Sequence, residues 1–284
     1  MQFTSTRSRK NIGSAQAITQ GISEDGGLFV TQSFPALTAE QLDRMTGMSY
    51  KERAVAILSL FLTDFSEEEI RRCVEGAYSG TFDNDNPAPL VEAAPGMHLL
   101  ELWHGPTCAF KDMALQLLPY LLTTAASKTA PGRTMVILVA TSGDTGKAAL
   151  DGFADVGKTK IIVFYPQDGV SPMQKLQMTT QTGGNVAVCA IKGNFDDAQT
   201  GVKNIFADAS MKTFLEENGM EFSSANSINF GRLVPQIVYY VSAYCDLLKN
   251  GKLAKGERFN VAVPTGNFGN ILAAVYAKRM GVPI

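Results

Sequence analysis

The sequence has 284 residues, of which 45% are apolar and 18% charged; this is the balance of a folded chain and excludes wholesale disorder. Such a length holds one large domain or two modest ones at roughly 100–200 residues each. With 25 Lys+Arg against 27 Asp+Glu the near-neutral charge argues against a nucleic-acid binder, and the lack of any run of about 18 apolar residues argues against a membrane-spanning helix.

Residues 1–95 read as a helical N-terminal section. The start is basic (MQFTSTRSRKN) but has no apolar stretch behind it, so it does not resemble a signal peptide. Thr38-Ala-Glu-Gln41 is a capping box opening a short helix. Ala54, Ile57, Leu58, Phe61 and Leu62 fall at helical spacing within 50–65, and Ser66-Glu-Glu-Glu69 is a second capping box whose acids suit a helix N-terminus. The stretch 81–89 (TFDNDNPAP) is an extended linker.

From residue 96 the pattern changes to α/β. Strands are expected at 99–103, 135–140, 161–165, 186–191 and 259–263. Helices are expected at 111–126, 146–156, 172–181, 196–208, 232–249 and 270–280. Alternation of this kind specifies a parallel sheet covered by helices. Ligands of such sheets bind at the carboxyl ends of the strands, so the loops there carry the functional reading. The cysteines, Cys73, Cys108, Cys189 and Cys245, are scattered and form no CxxC pair. Neither a zinc site nor a disulfide framework is indicated, and reduced thiols in the cytoplasm are the expectation.

Three loops stand out. Trp103-His-Gly-Pro-Thr-Cys-Ala-Phe-Lys-Asp112 ends one strand and puts Lys111 in the first turn of a helix, where a cation is disfavoured and the neutral amine needed for Schiff-base chemistry is favoured. Ala140-Thr-Ser-Gly-Asp-Thr-Gly146 offers the hydroxyls of Thr141, Ser142 and Thr145 and free N–H groups to an anion. It is not a P-loop, since the spacing fails and Lys147 is followed by Ala148. Pro264-Thr-Gly-Asn-Phe-Gly-Asn270 is a phosphate cradle at a helix start, without the GxGxxG of a dinucleotide site. Each has a plainer reading: a surface lysine, an N-cap turn and a capped tight turn. Their coincidence at one end of one sheet points instead to a cofactor with both an aldehyde and a phosphate, pyridoxal 5′-phosphate.

These strings resemble the threonine synthase family. HGPTCAFKD is similar to its cofactor-lysine motif, ATSGDTG to its substrate and cofactor loop, and PTGNFGN to its phosphate loop. Phe3-Thr-Ser-Thr-Arg7 with Glu24-Asp-Gly-Gly-Leu-Phe29, and Ser224-Ala-Asn-Ser-Ile-Asn-Phe-Gly-Arg232, extend the match along the chain. The resemblance implies the fold type II architecture of tryptophan-synthase-β-like enzymes. It implies a lyase of threonine biosynthesis that converts O-phospho-L-homoserine and water to L-threonine and phosphate. Lys111 would hold the cofactor covalently and shuttle protons, and Phe110 would pack beside the ring. Asp144 would face the cofactor, and Gly266, Asn267, Phe268, Gly269 and Asn270 would bind its phosphate. Ser142, Thr145, Asn229 and Arg232 would contact the substrate, unless Arg232 is a structural ion-pair residue. A serine or threonine dehydratase, a β-replacement enzyme and a non-catalytic binding protein are the alternatives. The resemblance also implies that the family fold continues beyond Gly281-Val-Pro-Ile284. The expectation is therefore a chain with little turnover of its own, a tendency to associate, and a ring-nitrogen partner that lies outside this sequence.

Overall fold

The computed structural model describes residues 1–284. The N-terminal section is not purely helical. Strand β1 (Phe3–Ser5) pairs antiparallel with β2 (Asn11–Ile12) on one side, and across helix α1 (Ser14–Gln20) with β3 (Phe29–Thr31) on the other. These strands are two or three residues long, too short for alternation to register in the sequence. Helices α2 (Ala39–Met45), α3 (Tyr50–Phe61) and α4 (Glu67–Tyr78) all start on reciprocal capping boxes, Thr38/Gln41, Ser49/Glu52 and Ser66/Glu69. Ala54, Ile57, Leu58 and Phe61 of α3 are fully buried, as their spacing requires.

After the linker, β4 (Leu90–Ala94) and β5 (Met97–Leu100) form an antiparallel hairpin. The strand expected at 99–103 is thus no part of the parallel sheet. Pro95-Gly96, with Gly96 at φ 75°, supplies a tight turn, and local pairing takes the strand. The helix expected over 111–126 divides into α5 (Asp112–Leu115) and α6 (Leu118–Thr129), with Pro119 in the first turn of α6.

The α/β region follows as β6 (Thr134–Ala140), α7 (Asp144–Phe153), β7 (Thr159–Pro166), α8 (Pro172–Thr179), β8 (Val186–Ile191), α9 (Phe195–Ala207), α10 (Ala209–Glu217), β9 (Met220–Ser224), α11 (Phe230–Lys249) and α12 (Gly269–Arg279). All four strands are parallel, in the order β8-β7-β6-β9. β6 is buried on both faces, which its unbroken apolar run encodes. β9 escaped the sequence reading because Met-Glu-Phe-Ser-Ser is half polar. The segment expected as a strand at 259–263 makes no ladder. Phe259, Val261 and Val263 do face the core with period two, but no neighbouring strand lies beside them, and the Phe259 N–H bonds instead to the Pro283 carbonyl at 3.0 Å.

Helix α11 is the centre of the molecule: 17 of its 20 residues are buried, the signature of a helix covered on every side. Arg53 of α3 is fixed to it through Asp246 at 2.7 Å and Ser242 Oγ at 2.7 Å. The chain runs β6, β7, β8 outward and then returns to the other side of β6 with β9. The loops after β6 and β9 therefore flank the point where strand order reverses, the place where open parallel sheets build their sites.

Candidate active site

The loop before α5 is shaped around a buried carboxylate. Asp112 is fully buried and accepts from the Thr107 N–H at 2.8 Å and Thr107 Oγ1 at 2.6 Å; burial raises its pKa. A side chain at Gly105 would stand 2.5 Å from Asp112 Cβ, so only glycine lets the loop close this tightly. The result presents Lys111 immediately before the four-residue α5. Its Nζ stands 3.4 Å from Asp144 Oδ2 and 4.5 Å from the centre of the Phe110 ring. The Lys111 pKa is lowered, first by burial and against the raising effect of Asp144, with the Arg232 charge adding to the lowering. The shift is toward the neutral amine, as the sequence suggests, but it comes from desolvation more than from so short a helix.

The loop after β6 is held from within. Thr141 Oγ1 accepts from the N–H groups of Gly143 at 3.0 Å and Gly146 at 2.9 Å. Its hydroxyl is therefore internal and is not offered to a ligand. Ser142 and Asp144 are exposed, whereas Thr145 is buried. Asp144 is held at both oxygens, by Lys111 and by Gln174 Nε2 at 2.7 Å.

Arg232, in the first turn of α11, is 5% exposed and has no carboxylate partner. Its Nη1 donates to the Ala225 carbonyl at 2.8 Å, its Nη2 lies 3.4 Å from Thr145 Oγ1, and its Nε has no partner at all. Burial lowers its pKa to about 10. The ion-pair reading of Arg232 is therefore wrong. A buried cation with an idle donor is costly unless an anion completes it.

Ten of the residues singled out above line one cleft of about 320 Å³: Phe110 and Lys111; Ser142, Asp144 and Thr145; Arg232; and Gly266, Asn267, Gly269 and Asn270. Two do not. Asn229 is fully buried, its Nδ2 donating to the carbonyls of Ile18 and Ser224 and its Oδ1 accepting from the Gly231 N–H. It is the N-cap of α11, and every polar atom that could meet a substrate is used. Phe268 is 75% exposed and turns its ring to solvent; the backbone of this N-cap of α12 is what remains near the cleft. Gln174, Gln236, Ser227 and Phe195 also line the cleft and were not foreseen. The Ser171/Gln174 capping box was legible as a helix start, but a cap does not say where the glutamine amide points. A larger cleft of about 950 Å³ beside β9, α9 and α10 contains none of the twelve, so size does not select the site.

The cleft fits an anionic, phosphate-bearing group. The N-terminus of α12 reaches the cleft without a side-chain cap, leaving N–H donors free, whereas at the start of α7 Thr141 already takes the Gly146 N–H. A Cβ at Gly266 would meet nothing within 4 Å, so the protein leaves that space open.

Comparison with known proteins decides the family. The family of pyridoxal-phosphate dependent enzymes matches residues 86–284, and the threonine synthase N terminus matches residues 2–78. This chain belongs to the threonine synthase family. Within the family it is 42% identical over 279 residues to human threonine synthase-like 1, covering 95% of this chain and 37% of that protein. It is 39% identical to the threonine synthase of Pseudomonas aeruginosa, covering 100% of this chain and 58% of that one. The crystal structure of PLP-bound threonine synthase from Brucella melitensis superimposes with a TM-score of 0.87 at 40% identity, covering all of this chain and 59% of that chain. The chain thus spans between a third and three fifths of the length of these relatives. The structural match carries the fold type II α/β architecture with it, and no helix is long and apolar enough to cross a membrane.

Proposed function

We propose that this chain carries the cofactor and substrate residues of a threonine synthase, acting on O-phospho-L-homoserine and water to give L-threonine and phosphate. The observation that supports it above all is Arg232: a buried guanidinium with an unpartnered Nε, in the same cleft as a lysine of lowered pKa. Such a cleft asks for an anion beside an amine-reactive carbonyl. Pyridoxal phosphate, when bound, supplies that carbonyl and an electron sink for carbanions at the substrate carbons. Gly266, Asn267, Gly269 and Asn270 would hold its phosphate through backbone N–H groups and the start of α12. Phe110 would pack beside its ring. Lys111 would attach it and then carry protons at the substrate α and β carbons. Arg232 and Thr145 would bind the substrate phosphate, for which the planar guanidinium is suited, and Ser142 would contact the rest of the substrate.

The test is release of inorganic phosphate, with threonine formed in equal amount, when O-phospho-L-homoserine is added to the cofactor-loaded chain. Lys111→Ala should lose the visible cofactor absorbance and the release together. Pyruvate or another keto acid from serine or threonine would instead indicate a dehydratase. A second reading, a protein that binds this substrate without turning it over, is favoured by the 42% identity to relatives named threonine synthase-like 1. Saturable binding of O-phospho-L-homoserine with no phosphate released would select it.

A further inference from the structure

Asn270 opens α12 at the cleft, and its amide is not free to turn. Tyr240 Oη donates to Asn270 Oδ1 at 2.6 Å, and Tyr239 Oη lies 2.6 Å from the same oxygen and 3.1 Å from Gln236 Oε1. Gln236 is pinned in turn, since its Nε2 donates to the Arg232 carbonyl at 2.9 Å. Its carbonyl end must therefore face Tyr239. Two phenols bring two protons, and the acceptors in reach are the two amide oxygens. Were the Asn270 amide reversed, Tyr240, which has no other partner, would hold a buried proton with no acceptor, and such a donor is costly. Proton accounting thus commits the carbonyl of Asn270 to the phenols. Its Nδ2, with two N–H donors and no acceptor in the protein, is left at the other end of the amide of a residue that lines the cleft with Gly266 and Gly269. Both tyrosines are buried, and burial raises their pKa values, so they stay donors at any working pH.

We propose that Tyr239 and Tyr240 are positioning residues that lock the Asn270 amide with its N–H groups turned toward a phosphate bound against Gly266–Asn270. This rests on the reading that the loop takes the cofactor's phosphate. The phenols never touch the ligand. They remove the choice of amide orientation that an unrestrained asparagine would otherwise have to give up on binding.

Pyridoxal and pyridoxal 5′-phosphate differ only in the phosphate, so comparing them isolates this contact. Each is titrated into the full chain and its capture by Lys111 followed by absorbance, with Lys111→Ala as the blank. In the double variant Tyr239→Phe/Tyr240→Phe, affinity for pyridoxal phosphate should fall about tenfold, the scale of one charge-assisted hydrogen bond, while affinity for pyridoxal stays as in wild type. Asn270→Asp keeps an acceptor for both phenols but replaces the donor with an oxygen, and should lose at least as much for the phosphate form alone. Adding the two Phe substitutions to Asn270→Ala should then cost nothing further. Equal losses for both ligands would mean the phenols merely support the fold, and an unchanged phosphate affinity would mean they do not orient Asn270; either result overturns the proposal while leaving the cofactor assignment intact. If the wild-type chain captures neither ligand at Lys111, the cofactor reading fails and this one with it.

Discussion

Asp144 sits between an ammonium and an amide, and its charge opposes what burial does to Lys111. Replacing it with Asn removes the anion 3.4 Å from Nζ and leaves desolvation and the Arg232 charge, which favour the neutral amine, opposed only by the weaker pull of Asp112. The Lys111 pKa should therefore fall further in Asp144→Asn. A lower pKa frees the amine at lower pH, so the pH at which half of added pyridoxal is captured should move downward relative to wild type. No movement, or an upward one, would show that Asp144 does not govern this lysine. The glycines of the cradle separate in the same way. A side chain at Gly266 meets nothing in the protein, whereas one at Gly269 comes within 3.1 Å of Ser227 Cβ. Gly266→Val should leave the unfolding free energy within about 0.5 kcal/mol of wild type, as a surface change does, and still weaken pyridoxal phosphate binding. A variant that binds cofactor normally would place the phosphate elsewhere.

At the scale of elements, the linker 81–89 is tied to the lysine loop through one imidazole. His104 Nδ1 lies 2.6 Å from Asp83 Oδ1 and Nε2 lies 2.9 Å from Glu101 Oε2, while the Asp83 N–H donates to the His104 carbonyl at 3.0 Å. A neutral ring has only one N–H, so both side-chain bonds are donated together only by the cation. Glu101 first, and Asp83 with it, raise the His104 pKa above the ordinary imidazole value. A raised folded-state pKa contributes stability that is complete below the unfolded value of about 6.5 and is lost as pH climbs through the folded value. Asp83 is largely exposed, which limits the effect to under about 1 kcal/mol. The difference in melting temperature between wild type and His104→Leu should accordingly shrink as pH rises above neutrality; a difference that grew would contradict the clamp.

The elements themselves were legible to different degrees for physical reasons. β6 announced itself because a strand buried on both faces needs continuous apolar side chains, and β7 and β8, which are less buried, did so as short apolar runs between helices. The boxes at Thr38 and Ser66 did so because capping is local chemistry. The hairpin at 90–100 and the unpaired 259–263 segment were misjudged because pairing partners are not written in a strand's own residues. At the site, ten of twelve residues converge because strand-end loops and helix starts are sequence features. Asn229 misled because its spacing to Arg232 is equally that of a cap. Gln236 and the tyrosine pair stayed invisible because within an apolar helix they read as core.

The whole molecule carries an unpartnered apolar surface. Ile271, Leu272 and Val275 of α12 are 37%, 39% and 42% exposed, and Val91, Met97 and Leu99 of the hairpin are 44%, 54% and 49% exposed. An extended segment without a ladder lies in the chain between α11 and α12. Exposed apolar clusters and free strand edges drive association. The 284-residue chain should sediment as oligomers that grow with concentration, and Leu272→Glu with Val275→Lys should shift it toward monomer. A chain monomeric at all concentrations would remove the argument.

The cleft is stitched from residues 110–111, 142–145, 232–236 and 264–270, stretches that an unfolded chain scatters. A ligand that fits it therefore recognises the folded state alone and adds to its stability by mass action, about 2.7 kcal/mol at a hundred times its dissociation constant. Arg232 deepens this linkage, because an anion at its idle Nε would offset the cost of a cation buried in the first turn of α11, the helix at the centre of the molecule. Occupancy of the cleft and integrity of the fold are thereby linked, and any ligand that fills it should raise the melting temperature as its concentration rises.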